Sequence, residues 1–288
     1  NHPMRICIYC YQTQTFMKNF LQSTTNWRAR QLLLPILLML LSASSYGQVS
    51  NLQAWSNLYN GTSNTQNLTY AVSAGSNSNR LLVVAVTTTL QTAANNRTIS
   101  LTYGGRPLTL ATGDLTSNSQ QHTALYYLKE SDLDLATSTT LAFTASNGTT
   151  RVNMVWAALY DYVDQTTLIN NSRNYNSGTS TTSTFQFGTA LSLTSGDQGV
   201  VLICSHRTGN TTSRTITYPT NWTLDDEQTY ATTDGIRTGV AERTIPTSTT
   251  TDLCATTFSN ATLASMTAIA IKGCTPATAN AGTALAAI

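Results

Sequence analysis

Charge is scarce in this chain: Asp, Glu, Lys and Arg make up 10% of its 288 residues. Binding a phosphate backbone takes clustered Lys and Arg. The basic residues here stand singly, which argues against nucleic acid as a partner. Histidine is scarcer still, and only His122 and His206 follow Gln48. Neither lies in a motif that pairs a nucleophile with a base, and Ser205-His206 reads as the start of an exposed loop, so no enzyme is expected. The densest carboxylate groups are Asp132-Leu133-Asp134 and Asp225-Asp226-Glu227. Their spacing matches no calcium loop, so they read as solvated turns, and no metal or cofactor is expected. Sustained 3.6-residue periodicity is missing after Gln48, which argues against a helical fold. Long apolar runs are missing too. The longest, from Leu32 to Leu41, has about 10 residues, against the roughly 20 that span a membrane.

That run has another use. Lys18, Arg28 and Arg30 precede it and Ser45 and Gly47 follow, the order of a secretory signal with cleavage before Gln48. Residues 17–47 are therefore expected to be a signal peptide. Residues 1–16, with Cys7-Ile8-Tyr9-Cys10, are expected to be an over-extended gene call upstream of Met17. The first 47 residues hold four of the 15 basic residues and none of the 13 acidic ones, so the mature part carries a net charge of −2. A secreted, extracellular or cell-surface protein with no membrane span is the expectation.

What is abundant is Thr and Ser, roughly 30% of the mature part, in short apolar or alternating runs bounded by Gly, Asn and Asp. The class is all-β. Candidate strands are Leu52–Tyr59, Asn67–Ser73, Arg80–Thr88, Ile99–Tyr103, Pro107–Ala111, Thr123–Lys129, Thr139–Ala145 and Val152–Tyr162. A second series comprises Thr184–Leu193, Gly199–Ser205, Arg214–Tyr218, Trp222–Asp225, Thr238–Thr244, Thr251–Phe258 and Ser265–Lys272. The series resemble each other. Leu81–Val86 matches Val200–Ser205, and Arg97-Thr98-Ile99 matches Arg214-Thr215-Ile216. The continuous runs Leu81–Val86 and Val200–Ile203 predict central strands buried on both faces. The pattern fits an antiparallel β-sandwich over 48–273, jelly-roll-like and built from a duplicated half, with pseudo-repeats at about 67–164 and 184–273. One sandwich of about 12 strands is favoured over two Ig-like sandwiches. The polar stretch from Asp164 to Ser183 reads either as a linker or as a crossing between sheet edges.

Asn79-Arg80-Leu81, Leu101-Thr102-Tyr103-Gly104-Gly105, Tyr127-Leu128-Lys129-Glu130, Val163-Asp164-Gln165-Thr166-Thr167 and Ala268–Lys272 together resemble a β-sandwich module of secreted and surface proteins of environmental bacteria, notably Bacteroidota. The resemblance covers almost all of residues 50–273 and implies fold and location, with a structural or adhesive role and no chemistry. Residues 274–288 resemble the start of an Ig-like unit in long surface proteins of the same bacteria. They read either as a linker or as a donor strand, with Ala277, Ala279, Ala281, Thr283, Leu285 and Ala287 on one face.

In an oxidising compartment Cys204, Cys254 and Cys274 make one pair and one leftover. Cys204–Cys254 is the expected bridge, leaving Cys274 for a neighbouring or downstream chain; Cys254–Cys274 is the alternative. Among Trp55, Trp156 and Trp222, Trp156 is expected in the core and Trp222 exposed as a sugar contact. Asn60, Asn67, Asn96, Asn147, Asn170, Asn210, Asn221 and Asn260 begin glycosylation sequons. The leading expectation is a structural subunit of an extracellular fibre or surface assembly, polymerising with copies of itself by strand addition. The alternative is a carbohydrate-binding or adhesive surface module with glycans as partners.

Overall fold

Leu81 to Val86 and Val200 to Ile203 are continuously apolar because each run is buried on two faces. Leu81, Val83 and Ala85 point into one apolar layer, and Leu82, Val84 and Val86 into another. Val200 and Leu202 enter the first of these layers, and Val201 and Ile203 a third. The computed structural model describes residues 48–73, 79–206, 211–212, 214–230 and 235–274. The expected leader (with Cys7 and Cys10), the tail strand Ala277, Ala279, Ala281, Thr283, Leu285 and Ala287, and Asn210 lie outside the described residues.

The first half comprises β1 (Ser50–Gly61), β2 (Thr65–Thr69), β3 (Leu81–Ala94), β4 (Thr98–Tyr103), β5 (Arg106–Pro107), β6 (Thr109–Gly113), β7 (Ser119–Lys129), helix α1 (Glu130–Leu133), β8 (Thr140–Ser146) and β9 (Thr150–Asp161). The second comprises β10 (Ile169–Asn176), β11 (Thr182–Phe185), β12 (Leu191–Leu193), β13 (Gln198–His206), β14 (Ile216–Thr217), β15 (Trp222–Tyr230), β16 (Ile236–Arg243), β17 (Thr250–Asp252) and β18 (Thr256–Ile271). The chain is an all-β, antiparallel sandwich with more strands than the expected dozen. One five-stranded sheet runs β1-β9-β3-β7-β6; a seven-stranded sheet has a five-stranded main body, β10-β18-β13-β16-β15, with β11 and β14 paired to β18 off it. Numbered within its own half, each five-stranded body has the order 1-5-2-4-3.

The first sheet is covered by the sheet β2-β8-β4-β5. The paths β1-β9-β3-β7 and β2-β8-β4-β5 interleave in jelly-roll order. The second is covered by β11 and β14, which both pair with the start of β18, and by the β12–β17 pair. The uncovered faces of the two five-stranded sheets pack on each other across a shared layer that includes Leu81, Trp156, Tyr160, Leu202 and Ile269.

One strand was not anticipated. β10 lies inside the polar stretch from Asp164 to Ser183 and pairs with β18 at the sheet edge. None of its residues is fully buried, so no apolar alternation announces it.

Candidate functional site

The strings that carry the resemblance meet at the end of the sandwich where β3 begins and β18 finishes. Arg80 precedes β3, Glu130 opens α1, Gln165 follows β9 and Lys272 follows β18. Arg80 Nε donates to both Glu130 carboxylate oxygens at 3.0 Å, and Nη2 donates to Glu130 Oε1 at 2.6 Å and Asp134 Oδ1 at 3.0 Å. Gln165 closes the group. Its Oε1 accepts the Glu130 N–H at 3.1 Å, while its Nε2 donates to the carbonyls of Arg80 and Val163. Asp164 Oδ1 accepts the N–H groups of Thr166 and Thr167 at 2.8 and 3.0 Å, and its Oδ2 pairs with Lys272 Nζ at 2.9 Å.

Burial pushes the Glu130 carboxyl up, but the hydrogen bonds and charge of Arg80 outweigh it and hold the group below its ordinary value. Asp164 shows the same balance, with Thr167, Lys272 and Thr166 overcoming burial. Both carboxylates are therefore fixed acceptors, unsuited to donating a proton near neutral pH.

Two clefts flank α1. The larger, about 280 Å³, is walled by Val72, Arg80, Tyr103, Leu133 and residues 136–139. Gly104, at φ +52°, lets this wall close, because a Cβ there would meet the Ser138 carbonyl at 2.6 Å. The cleft offers the hydroxyls of Ser138 and Thr139, whereas the Tyr103 hydroxyl donates to the Tyr70 carbonyl, Thr137 Oγ1 donates to the Gly104 carbonyl and the arginine is paired with two carboxylates. Such a surface suits a neutral polar ligand better than an anion. The other cleft, about 230 Å³, includes Tyr127, Lys129, Asp132 and Gln165.

A second polar group lies where β1 packs on β15. β15 carries a bulge between Leu224 and Asp226, so Asp225 has no partner of its own on β16. Asp226 Oδ2 accepts from Trp156 Nε1 at 3.2 Å and from the Asn57 N–H at 3.1 Å. On β16, Glu242 Oε1 accepts from Asn51 Nδ2 at 2.8 Å, Trp55 Nε1 at 3.1 Å and the Tyr160 hydroxyl. Asp225 remains solvent-facing as a whole, yet its carboxyl is raised to about 7, by partial burial first and by Glu242 second. Asp225-Asp226-Glu227 thus belongs to a strand, not the expected solvated turn. Asp132 pairs with Arg106 at 2.8 Å and Asp134 with Arg80.

The expected bridge between Cys204 and Cys254 does not form, and both thiols are free and buried. The reason is the pleat. Cys204 points into the layer shared by the two five-stranded sheets, whereas Cys254 lies in the layer on the other side of the β13 sheet. Cys274, also free, is the one described cysteine that reaches the surface. Trp222 is not the exposed sugar platform expected of it. It is 7% exposed, and its Nε1 donates to Asp252 Oδ2 at 3.0 Å. Trp55 and Trp156 are buried as well.

His206 ends β13 fully buried instead of opening a loop, and His122 is buried with its Nδ1 2.8 Å from the Asp114 carbonyl. Asn60, Asn67, Asn96, Asn147, Asn170, Asn221 and Asn260 are all exposed. Two of their amides are already engaged: Asn147 Nδ2 donates to Asn96 O at 2.9 Å and Asn170 Nδ2 to Asp197 Oδ2 at 2.8 Å. Among the described residues no group of three or more His, Cys, Asp or Glu side chains is placed to hold a metal ion, and no helix is long and apolar enough to cross a membrane.

No family model, no curated protein and no solved structure matches the chain. In the sequence Arg80, Glu130 and Gln165 stand only as parts of strand signatures. Their joint signal was available as isolated polar residues flanking apolar strands in a chain with few charges.

Proposed function

We propose that this chain is a secreted structural subunit of an extracellular fibre or cell-surface assembly, joined to copies of itself by strand addition. The observation that supports it most is how the five-stranded sheets are finished. Their interior strands are paired on both sides, so the free backbone hydrogen-bonding groups lie at the edges. β15 is one such edge, nine residues long and, among the described residues, paired only with β16. An edge of this kind templates another strand. The exit of the chain suits the same role. Lys272 N–H donates to Leu168 O, Gly273 bridges Val163, and Cys274 N–H donates to Tyr162 O, so the surface thiol of Cys274 is held at a fixed place. In this reading Cys274 forms the intermolecular disulfide. Negative-stain microscopy of the chain from Gln48 to Ile288 should show filaments that are lost when residues 275–288 are removed. A monodisperse monomer with those residues present sinks the proposal.

The second reading is a carbohydrate-binding surface module, and the cleft of about 280 Å³ beside Tyr103 favours it. Ser138→Trp should fill that cleft and abolish saturable glycan binding while leaving the fold intact. Trp222→Ala is no test of this reading, since removing a buried indole unsettles the fold itself.

A further inference from the structure

The layer shared by the two five-stranded sheets changes character along its length. Toward the end where β3 begins and β18 finishes it is filled by Leu81, Val83, Trp156, Val200 and Ile269. Toward the opposite end the same strand faces carry hydroxyl and amide groups. Thr123 Oγ1 lies 2.8 Å from Ser265 Oγ and 2.7 Å from Thr267 Oγ1, and Gln121 Nε2 donates to the Ala264 carbonyl at 3.3 Å, so polar contacts tie one sheet to the other.

These contacts leave groups unmatched. Thr87 Oγ1, Gln121 Oε1 and both ring nitrogens of His206 have no hydrogen-bond partner, although all three residues are 0% exposed. His206 follows Cys204 on a regular strand, paired with Leu263 across from it, and so faces the same shared layer. Among the described residues, the ionisable groups close to it are Arg151 on β9 and Cys204 on its own strand. β3, β7, β16 and β18 present Thr87 and Thr89, Gln121 and Thr123, Thr238, and Ser265 and Thr267, none of which titrates. A neutral imidazole is tolerable in this setting. An imidazolium there would be buried with no acceptor for its own N–H groups, and in the field of the Arg151 guanidinium.

We propose that this polar end of the shared layer is an acid-sensitive seam: proton uptake by His206 parts the two half-sandwiches there, while the apolar end holds them together. Burial, and then the charge of Arg151, lowers His206 to about 4, against 6.5 for an unperturbed histidine. The opened state takes the proton more readily. The seam is therefore fully closed above pH 6.5 and loosens as pH falls toward 4. From those two values, opening is favoured about 30-fold more at pH 5 than at pH 7.5.

Hydrogen exchange of the full chain at the two pH values, corrected for intrinsic rates, tests this. The expected result is about 30-fold more opening at Thr87–Leu90 and Cys204–His206, with Leu81–Ala85 unchanged. In His206→Gln the pH response should vanish. Equal protection at both pH values, or an equal response in His206→Gln, overturns the proposal. Should that variant not fold, NMR titration of His206 in the native chain decides: a ring that titrates near 6.5 overturns the seam, and one that stays neutral to about 4 supports it.

Discussion

Along one long edge of the shared layer β1 packs on β15, and along the other β10 packs on β6. The two edges correspond in strand order, since β1 and β10 are first in their halves and β6 and β15 third among the five sheet strands. Even the bulges correspond, falling between Leu110 and Thr112 in β6 and between Leu224 and Asp226 in β15. The chemistry differs. At the β10–β6 edge Asn174 Nδ2 donates to Thr112 Oγ1 and to the Gly113 carbonyl, both at 3.1 Å. At the β1–β15 edge two indoles, a tyrosine and two asparagines converge on the carboxylates of Asp226 and Glu242. One edge is closed by exposed neutral contacts, the other by charged acceptors with buried aromatic donors. A half-buried carboxylate satisfied by several donors makes the stronger closure and the more costly one to break.

The largest expected effect is at Glu242. Glu242→Ala leaves Tyr160 without its acceptor and Trp55 and Asn51 short of one, and should cost about 3 kcal/mol in urea unfolding. Trp156→Phe removes the indole bond to Asp226 and part of a fully buried ring, for about 2 kcal/mol. Asn174→Ala, the matching cut at the neutral edge, should cost about 1 kcal/mol or less. A loss there equal to that of Glu242→Ala would erase the distinction between the edges.

Asp225 sharpens the comparison through pH. Its folded value near 7 lies above the ordinary 3.8, so the folded state holds the proton more tightly. Its contribution is fully present below pH 3.8 and is lost as pH rises through 7. Asp225→Asn should remove that decline, seen as a higher melting temperature than the parent at pH 8 and convergence at low pH. His206 acts with the opposite sign over an overlapping range, so each is read from its own variant. The smallest effect is expected from Leu110→Thr and Leu224→Thr at the two bulges. Both leucines are more than 40% exposed, and each change should stay within about 0.5 kcal/mol in the same unfolding assay.

Much of the strand framework was legible. Leu81–Val86 and Val200–Ile203 are the doubly buried strands that their composition implies, and Val152–Tyr162 lies close to β9. Turns were legible too, because Asn96, Asn147 and Asn221 occupy the left-handed region that asparagine tolerates. Trp222 was misread because its polar neighbours on β15 are exposed while its own side chain faces the third layer. His206 was misread because a strand that ends buried has no mark to tell it from one that ends in water.

The sequence by itself determined most of the strand segments, though not β10, and which runs need cover on both faces, because period and composition are local properties of the chain. Only the tertiary structure decided which face each side chain takes and what meets it there. A strand residue has two faces, alternation says only that neighbours differ, and a bulge such as that at Asp225 reverses the count. That is why Cys204 and Cys254 are parted by a sheet, and why Arg80, Glu130, Gln165 and Lys272, distant in the chain, are gathered at one end.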